Sequence, residues 1–183
     1  MVLRPHENFP EIPCCTLQTL PDLWSGPTAV LEWDRNDEDA LRLLAQDLGP
    51  KLVLPEVWQD VFPYAGVLIS SSISGGTLGL RLQEAAIRNP QRCWLLVEPM
   101  QMQFSLPCPA GVGMPICRPH TEHSFDSEAL CCQYTHFIHN GHGAMVLWDT
   151  EQTLQRKLEL AQYYGFQGYT WPNTNRLDFP IKL

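Results

Sequence analysis

Between Met145 and Trp171 the sequence MVLWDTEQTLQRKLELAQYYGFQGYTW reads as a strand, a helix and a second strand with no interruption. Val146, Leu147 and Trp148 form an apolar run that meets Asp149 and Thr150, and either side chain can cap a helix by accepting a bond from an orphan backbone N–H. Gln152, three residues after Asp149, has capping-box spacing. Leu154, Leu158 and Ala161 then recur at helical spacing, while Gln155, Arg156, Glu159 and Gln162 point away from that stripe. Gly165 can take the left-handed turn that stops the helix. Gly168, Tyr169 and Thr170 run extended again and end on Trp171, before Pro172. Strand, helix, strand is the repeat of parallel α/β folds, in which the carboxyl ends of strands face ligand. Trp171 is therefore expected at such a rim.

The same alternation runs upstream. A first strand is predicted over Thr28–Trp33, after which Asp34-Arg35-Asn36-Asp37 caps a helix carrying Leu41, Leu44, Ala45 and Leu48 on one face. Gly49-Pro50 ends that helix. Lys51–Leu54 is a wholly apolar second strand, closed by Pro55 and a short helical turn over Glu56–Val61. Gly66–Ser70 is a third strand, followed through Ser71–Gly76 by a helix with Leu78, Leu82, Ala85 and Ala86 on one side, stopped at Asn89-Pro90. Cys93–Glu98 is a fourth, and Met102–Leu106 continues it or forms a short strand of its own. Residues 107–125 read as a long ordered loop, Ser127–Cys132 as a short helix, and Tyr134–Ile138 with Ala144–Trp148 as a hairpin around Asn140-Gly141. The expected class is α/β: a mostly parallel sheet of about five strands with covering helices, open or curled into part of a TIM-type barrel. The chain is predicted to be a single domain over 1–183, with an extended N-terminal arm over 1–27, where five prolines fall, and a loop and hairpin insertion over 107–145.

Composition bounds the function. The 183 residues are enough for one real core and too few for a complete eight-stranded barrel. A net charge of -8, from 12 basic and 20 acidic groups, excludes a phosphate-binding nucleic-acid surface. No stretch approaches the roughly 20 apolar residues of a membrane span, and the N-terminus lacks the apolar core of a signal peptide, so a cytoplasmic location is expected. Seven cysteines in an odd set, with two adjacent pairs and no C-x-x-C, read as free and mostly buried thiols.

Three constellations carry candidate chemistry. Five of the six histidines, His120, His123, His136, His139 and His142, fall in one stretch with H-x-x-H spacings that suit a metal, and Cys108, Cys117, Cys131 and Cys132 could add ligands. Surface and loop histidines are the ordinary alternative, because strand alternation would splay His136 and His139 to opposite faces. The run Ser70–Gly76 opens a helix and exposes backbone N–H groups, so Ser74, Gly75 and Gly76 are candidate ligand contacts, with an ordinary strand-to-helix turn as the alternative. Trp171, Trp148, Trp58 and Tyr64 could stack on sugar faces or cap the core.

The residues Trp148, Asp149, Thr153, Leu154, Lys157, Leu158, Ala161, Gly165, Phe166, Gly168 and Trp171 together resemble the closing segment of family 18 glycoside hydrolases, the chitinase-like barrels and their spore-peptidoglycan relatives. Gln167 stands where that family usually has glycine. The Tyr134–Gly143 hairpin resembles the family's small insertion, and Phe104–Cys108 resembles the strand that it ends on a Pro-aromatic-Gly turn. Carried back, the resemblance makes Thr28–Asp34 the strand of the D-x-x-D-x-D-x-E motif, with Pro27, Val30, Glu32 and Asp34 on its four positions. Two carboxylates are then absent and the last is one methylene short. The third strand, LISSS, also lacks the Tyr and Asp that the family uses there.

What the resemblance implies is a shortened relative with about five of eight strands, binding a ligand or partner at its strand carboxyl ends without hydrolysis. The expected partners are a carbohydrate or small-molecule ligand and, because an open sheet must cover its edges, a second copy of the chain in a homodimer. No cofactor, nucleic acid or membrane is expected. The rival is a glycosidase acting on an N-acetylated sugar polymer, with Glu32 and Asp34, which project to one face of a strand, as its acid-base pair. A metal-binding protein built on the His120–His142 cluster is the third reading.

Overall fold

The computed structural model describes residues 9–21, 25–107, 113–116, 123–139 and 141–172. In chain order the principal elements are β1 (Cys14–Cys15), β2 (Thr28–Val30), α1 (Glu38–Leu48), β3 (Leu52–Pro55), β4 (Gly66–Ser70), α2 (Leu78–Arg88) and β5 (Cys93–Leu96). There follow β6 (Gln101–Leu106), β7 (Met114–Pro115), β8 (Phe125–Ser127), β9 (Cys132–His139), β10 (His142–Trp148), α3 (Glu151–Tyr163) and β11 (Tyr169–Thr170).

One sheet is parallel throughout, in the order β1-β2-β3-β4-β5-β11. It nearly closes on itself. Glu11 bridges Tyr169 in parallel, Ile12 N–H donates to Tyr169 O (2.8 Å), and Tyr169 N–H donates to Pro10 O (3.0 Å). On its other side the same segment accepts from Ala29 N–H at Pro13 O (2.9 Å) and from Leu31 N–H at Cys15 O (2.8 Å). The residues expected as an arm thus supply a sixth strand, wedged between the two edges that five strands would leave unpaired.

The helices form where the apolar spacing put them. Leu41 and Leu48 of α1 are buried with Val30, Leu52, Leu54 and Trp58, and Gly49 ends the helix at φ +53°. Leu78, Leu82 and Ala85 of α2 meet Leu154, Leu158 and Ala161 of α3 over the outer faces of β4, β5 and β11. Thr77 caps α2 by accepting from Leu80 N–H (3.3 Å), and Thr150 with Thr153 makes the capping box of α3. Gly165 takes φ +78° past the end of α3.

Four expectations are corrected. The strand predicted to reach Trp33 stops at Val30, because Glu32 N–H turns back to Val30 O (3.1 Å) and Trp58 Nε1 takes Glu32 O (2.6 Å). Ser127–Cys132 is not a helix: Ser127 ends β8, a turn follows, and Cys132 begins β9. The expected hairpin of Tyr134–Ile138 with Ala144–Trp148 is present within β9 and β10, but the described part of the region expected as a loop adds strands beside it, and together they make a second, antiparallel sheet of five strands in the order β7-β6-β10-β9-β8. Most consequentially, β10 and β11 do not flank α3 as a parallel unit. β10 pairs antiparallel with β6 and β9, whereas β11 pairs with β5. The apolar run Val146-Leu147-Trp148 reads the same either way, since burial on both faces erases the alternation of an antiparallel strand.

The second sheet is an insertion between β5 and α3, and its entry and exit are tied together. Met100 N–H donates to Asp149 Oδ2 (2.6 Å) and Asp149 N–H donates to Met100 O (2.8 Å). Asp149 Oδ2 also accepts from Lys157 Nζ (2.7 Å) and Oδ1 from Thr153 Oγ1 (2.8 Å), with both charged side chains fully shielded at 0% exposure.

Candidate site at the carboxyl-terminal mouth of the barrel

The inner wall of the parallel sheet follows from strand alternation. Ile12, Ala29, Val53, Leu68 and Leu96 cluster with one another, and none of their buried neighbours in that cluster comes from a helix. They fill the barrel axis. At the amino-terminal end Trp94 joins them, and two glycines make room for its indole. A Cβ on Gly66 would lie 2.9 Å from the Trp94 ring and from Val53, and one on Gly168 would lie 2.7 Å from the same ring and collide with Pro10 O. The floor is thereby closed by side chains.

At the other end the wall turns polar. Two residues beyond Leu68 on the same face stands Ser70, and two beyond Leu96 stands Glu98. The Ser70 hydroxyl donates to Glu98 Oε2 and accepts Ser72 N–H (3.0 Å). The carboxylate is anchored from its backbone as well: Glu98 N–H donates to the buried Ser71 Oγ (3.0 Å), while Ser71 N–H donates to Leu96 O (2.9 Å). Glu98 and Ser70 are half-buried. A carboxylate held this way at the rim of an apolar wall can accept hydrogen bonds from a ligand without first being reoriented.

Of the residues singled out from sequence, Ser74, Gly75 and Gly76 lie exposed in the loop leaving the carboxyl end of β4, on the same rim as Ser70, and Gly76 takes φ +75°. Trp171 follows β11 at that end too, but its ring packs edge-on to Tyr169 (centroids 6.3 Å apart, 88°) against the layer between sheet and helices. Glu32 is half-buried past the end of β2. Asp34 is exposed and accepts Asn36 N–H (2.9 Å) as the cap of a short helical turn. Trp148 is buried in the second sheet, aligned with Gln101 and Gln133. Tyr64 is exposed two residues before β4 starts, so the five-residue strand, about 16 Å at 3.3 Å per residue, separates it from the mouth.

His136 stacks on Phe125 (5.8 Å) and Tyr134 (6.4 Å) on the second sheet. Cys108, Cys117, His120 and the side chain of His139 lie outside the described residues. Among the described residues no three His, Cys, Asp or Glu side chains are grouped to hold a metal ion. Cys15, Cys93, Cys131 and Cys132 are buried and free, and burial pushes the Cys15 and Cys93 thiols up to about 11 and Cys132 up to about 12. Sequence reasoning missed the Ser70 and Glu98 pair, although a signal was there: each of two adjacent apolar strands, LIS and LLVE, ends in a polar residue in phase with its inward leucine.

No family model matches the chain, and no curated protein matches it. Solved structures do. The spore cortex-lytic enzyme SleL of Bacillus megaterium QM B1551 superposes with a TM-score of 0.50 at 9% identity, over 79% of this chain and 44% of that one. SleL of Bacillus cereus gives 0.47 at 14% identity over the same shares, and ydhD of Bacillus subtilis, a candidate sporulation-specific glycosylase, gives 0.48 at 14% over 79% and 64%. The chain spans less than half the length of the SleL chains. The likeness is one of fold: a nearly closed parallel barrel with helices outside and a small antiparallel sheet inserted before its last strand.

Proposed function

We propose that the protein binds a carbohydrate at the carboxyl-terminal mouth of its barrel and does not cleave it, as a relative of family 18 glycoside hydrolases. The observation that carries this reading is the Ser70 and Glu98 pair, a fixed, half-buried carboxylate where the apolar inner wall meets solvent. The sequence resemblance to the chitinase-like and spore-peptidoglycan barrels makes an N-acetylated glycan the ligand to try first. Against hydrolysis stands the position of the two motif-aligned acids. Glycoside cleavage needs a proton donor held at the glycosidic oxygen. Asp34 is instead engaged as the cap of a short helical turn, accepting Asn36 N–H, and the backbone turns back at Glu32, whose N–H donates to Val30 O.

The test is an NMR titration of the full chain with the tetramer of N-acetylglucosamine, with mass spectrometry of the sugar after prolonged incubation. Saturable shifts at Ser70, Ser72 and Glu98 with intact tetramer are expected. Shortened oligomers, suppressed by Glu32→Gln or Asp34→Asn, would instead establish the glycosidase reading.

A further inference from the structure

The hydrogen-bond valences at the mouth say what kind of ligand fits there, an inference that rests on the binding reading just given. A serine hydroxyl has one proton to donate, and Ser70 spends it on Glu98 Oε2. One of its lone pairs is taken by Ser72 N–H. Ser71 is fully buried, and its hydroxyl oxygen accepts Glu98 N–H. Glu98 Oε1 takes no hydrogen bond from any described residue, and an ionised carboxylate can only accept. No Lys or Arg side chain is paired with Glu98 among the described residues. Every valence this pair leaves open is therefore an acceptor.

We propose that Glu98, oriented by Ser70, is a binding residue selecting a neutral ligand rich in hydrogen-bond donors, the hydroxyl groups of a sugar, and rejecting anionic ligands. A phosphate, sulfate or carboxylate arriving at this rim would bring only acceptors to an acceptor and a second negative charge to a fixed one. The anion that the Ser74–Gly76 loop alone would suit is thus disfavoured by the carboxylate standing at the end of the neighbouring strand. Two donor-rich classes remain, hydroxyls and ammonium groups, and hydroxyls are the ones assigned to this rim. The open lone pairs of Glu98 Oε1 and the remaining one on Ser70 Oγ could accept from either class; the carbohydrate reading on which this inference rests selects hydroxyls, with an ammonium as the competing ligand in the test.

Calorimetric titration of the full chain against three tetramers tests this: N-acetylglucosamine, glucosamine, and a sulfated N-acetylglucosamine. The neutral tetramer is expected to bind tightest and the sulfated one at least about tenfold more weakly. Glu98→Gln should weaken the neutral tetramer by about tenfold or more, since a charge-assisted bond is lost, and should narrow the gap to the sulfated one. Ser70→Ala, which frees the carboxylate to rotate, should weaken it less and keep the gap. Circular dichroism melts of each variant report folding, and if Glu98→Gln does not fold, Ser70→Ala and the ligand ranking decide. Equal binding of the neutral and sulfated tetramers, or unchanged affinity in Glu98→Gln, overturns the assignment while leaving carbohydrate binding in place. Tightest binding of the glucosamine tetramer overturns the choice of hydroxyls over ammonium. Absence of binding by all three overturns the binding reading and this inference with it.

Discussion

Lys157 and Asp149 show how much a single pair can do in this chain. The ammonium and the carboxylate meet at 2.7 Å with no exposed surface, and the carboxylate also holds Met100 N–H and the Thr153 hydroxyl. Desolvating two charges is costly, so the pair is better understood as a fastener than as a source of net stability. Breaking it is another matter. Lys157→Met leaves a buried carboxylate short of its counter-charge and is expected to destabilise by about 3–5 kcal/mol. Because both residues act on one network, the double variant Lys157→Met with Asp149→Leu should cost less than the sum of the single changes. Urea unfolding of the four proteins measures this, and a Lys157→Met effect within about 0.5 kcal/mol, the range of ordinary surface changes, would refute it. The helical stripe of Leu154, Leu158 and Ala161 was legible in the sequence. The burial of Lys157 within that stripe was not, because a lysine at such spacing more often runs along the edge of the apolar face with its charge in water.

Among the elements, the segment 9–15 has the largest effect for its length. Phe9, Ile12 and Cys15 are buried, Phe9 stacks on Tyr169 (5.6 Å), and the backbone pairs with β11 on one side and β2 on the other. Thr170 Oγ1 adds a bond to Ile12 O (2.8 Å). Deleting residues 1–15 would bare both sheet edges and the apolar wall between them. The truncated chain is expected to lose cooperative thermal unfolding and to self-associate, as edge strands without a partner do. Light scattering and a melting curve check this, and a monomeric truncation with an unchanged midpoint would show that the seam does not need filling. Proline spacing and a two-residue strand hid this element from sequence reading, since its pairing with β2 covers only two residues and its other partner lies 158 positions away.

For the molecule as a whole, burial of neutral groups makes a pH signature. Burial, reinforced by Glu11, pushes Tyr169 up to about 12 from an ordinary 10, and desolvation pushes Cys15, Cys93 and Cys132 up from 9.0 to between about 11 and about 12. Each group keeps its proton more tightly folded than unfolded. Their contribution is whole below the unfolded values and is lost as pH rises, so stability should fall from about pH 9 to about pH 12. Melting temperature against pH measures it. Tyr169→Phe should flatten the curve specifically above about pH 10, and an unaltered slope there would contradict the assignment.

At this scale the division between sequence and tertiary structure is plain. The sequence by itself determined the α/β class, the three helices with their buried faces, the central strands and the glycines that end α1 and α3, because these depend on the spacing of apolar residues and on local backbone preference. Only the tertiary structure decided that β10 leaves the parallel sheet while β11 joins β5, that residues 9–15 close the barrel, and that Ser70 and Glu98 meet at its mouth. Strand pairing and side-chain convergence are long-range events, and the period of an apolar run carries no record of which distant backbone will satisfy its hydrogen bonds.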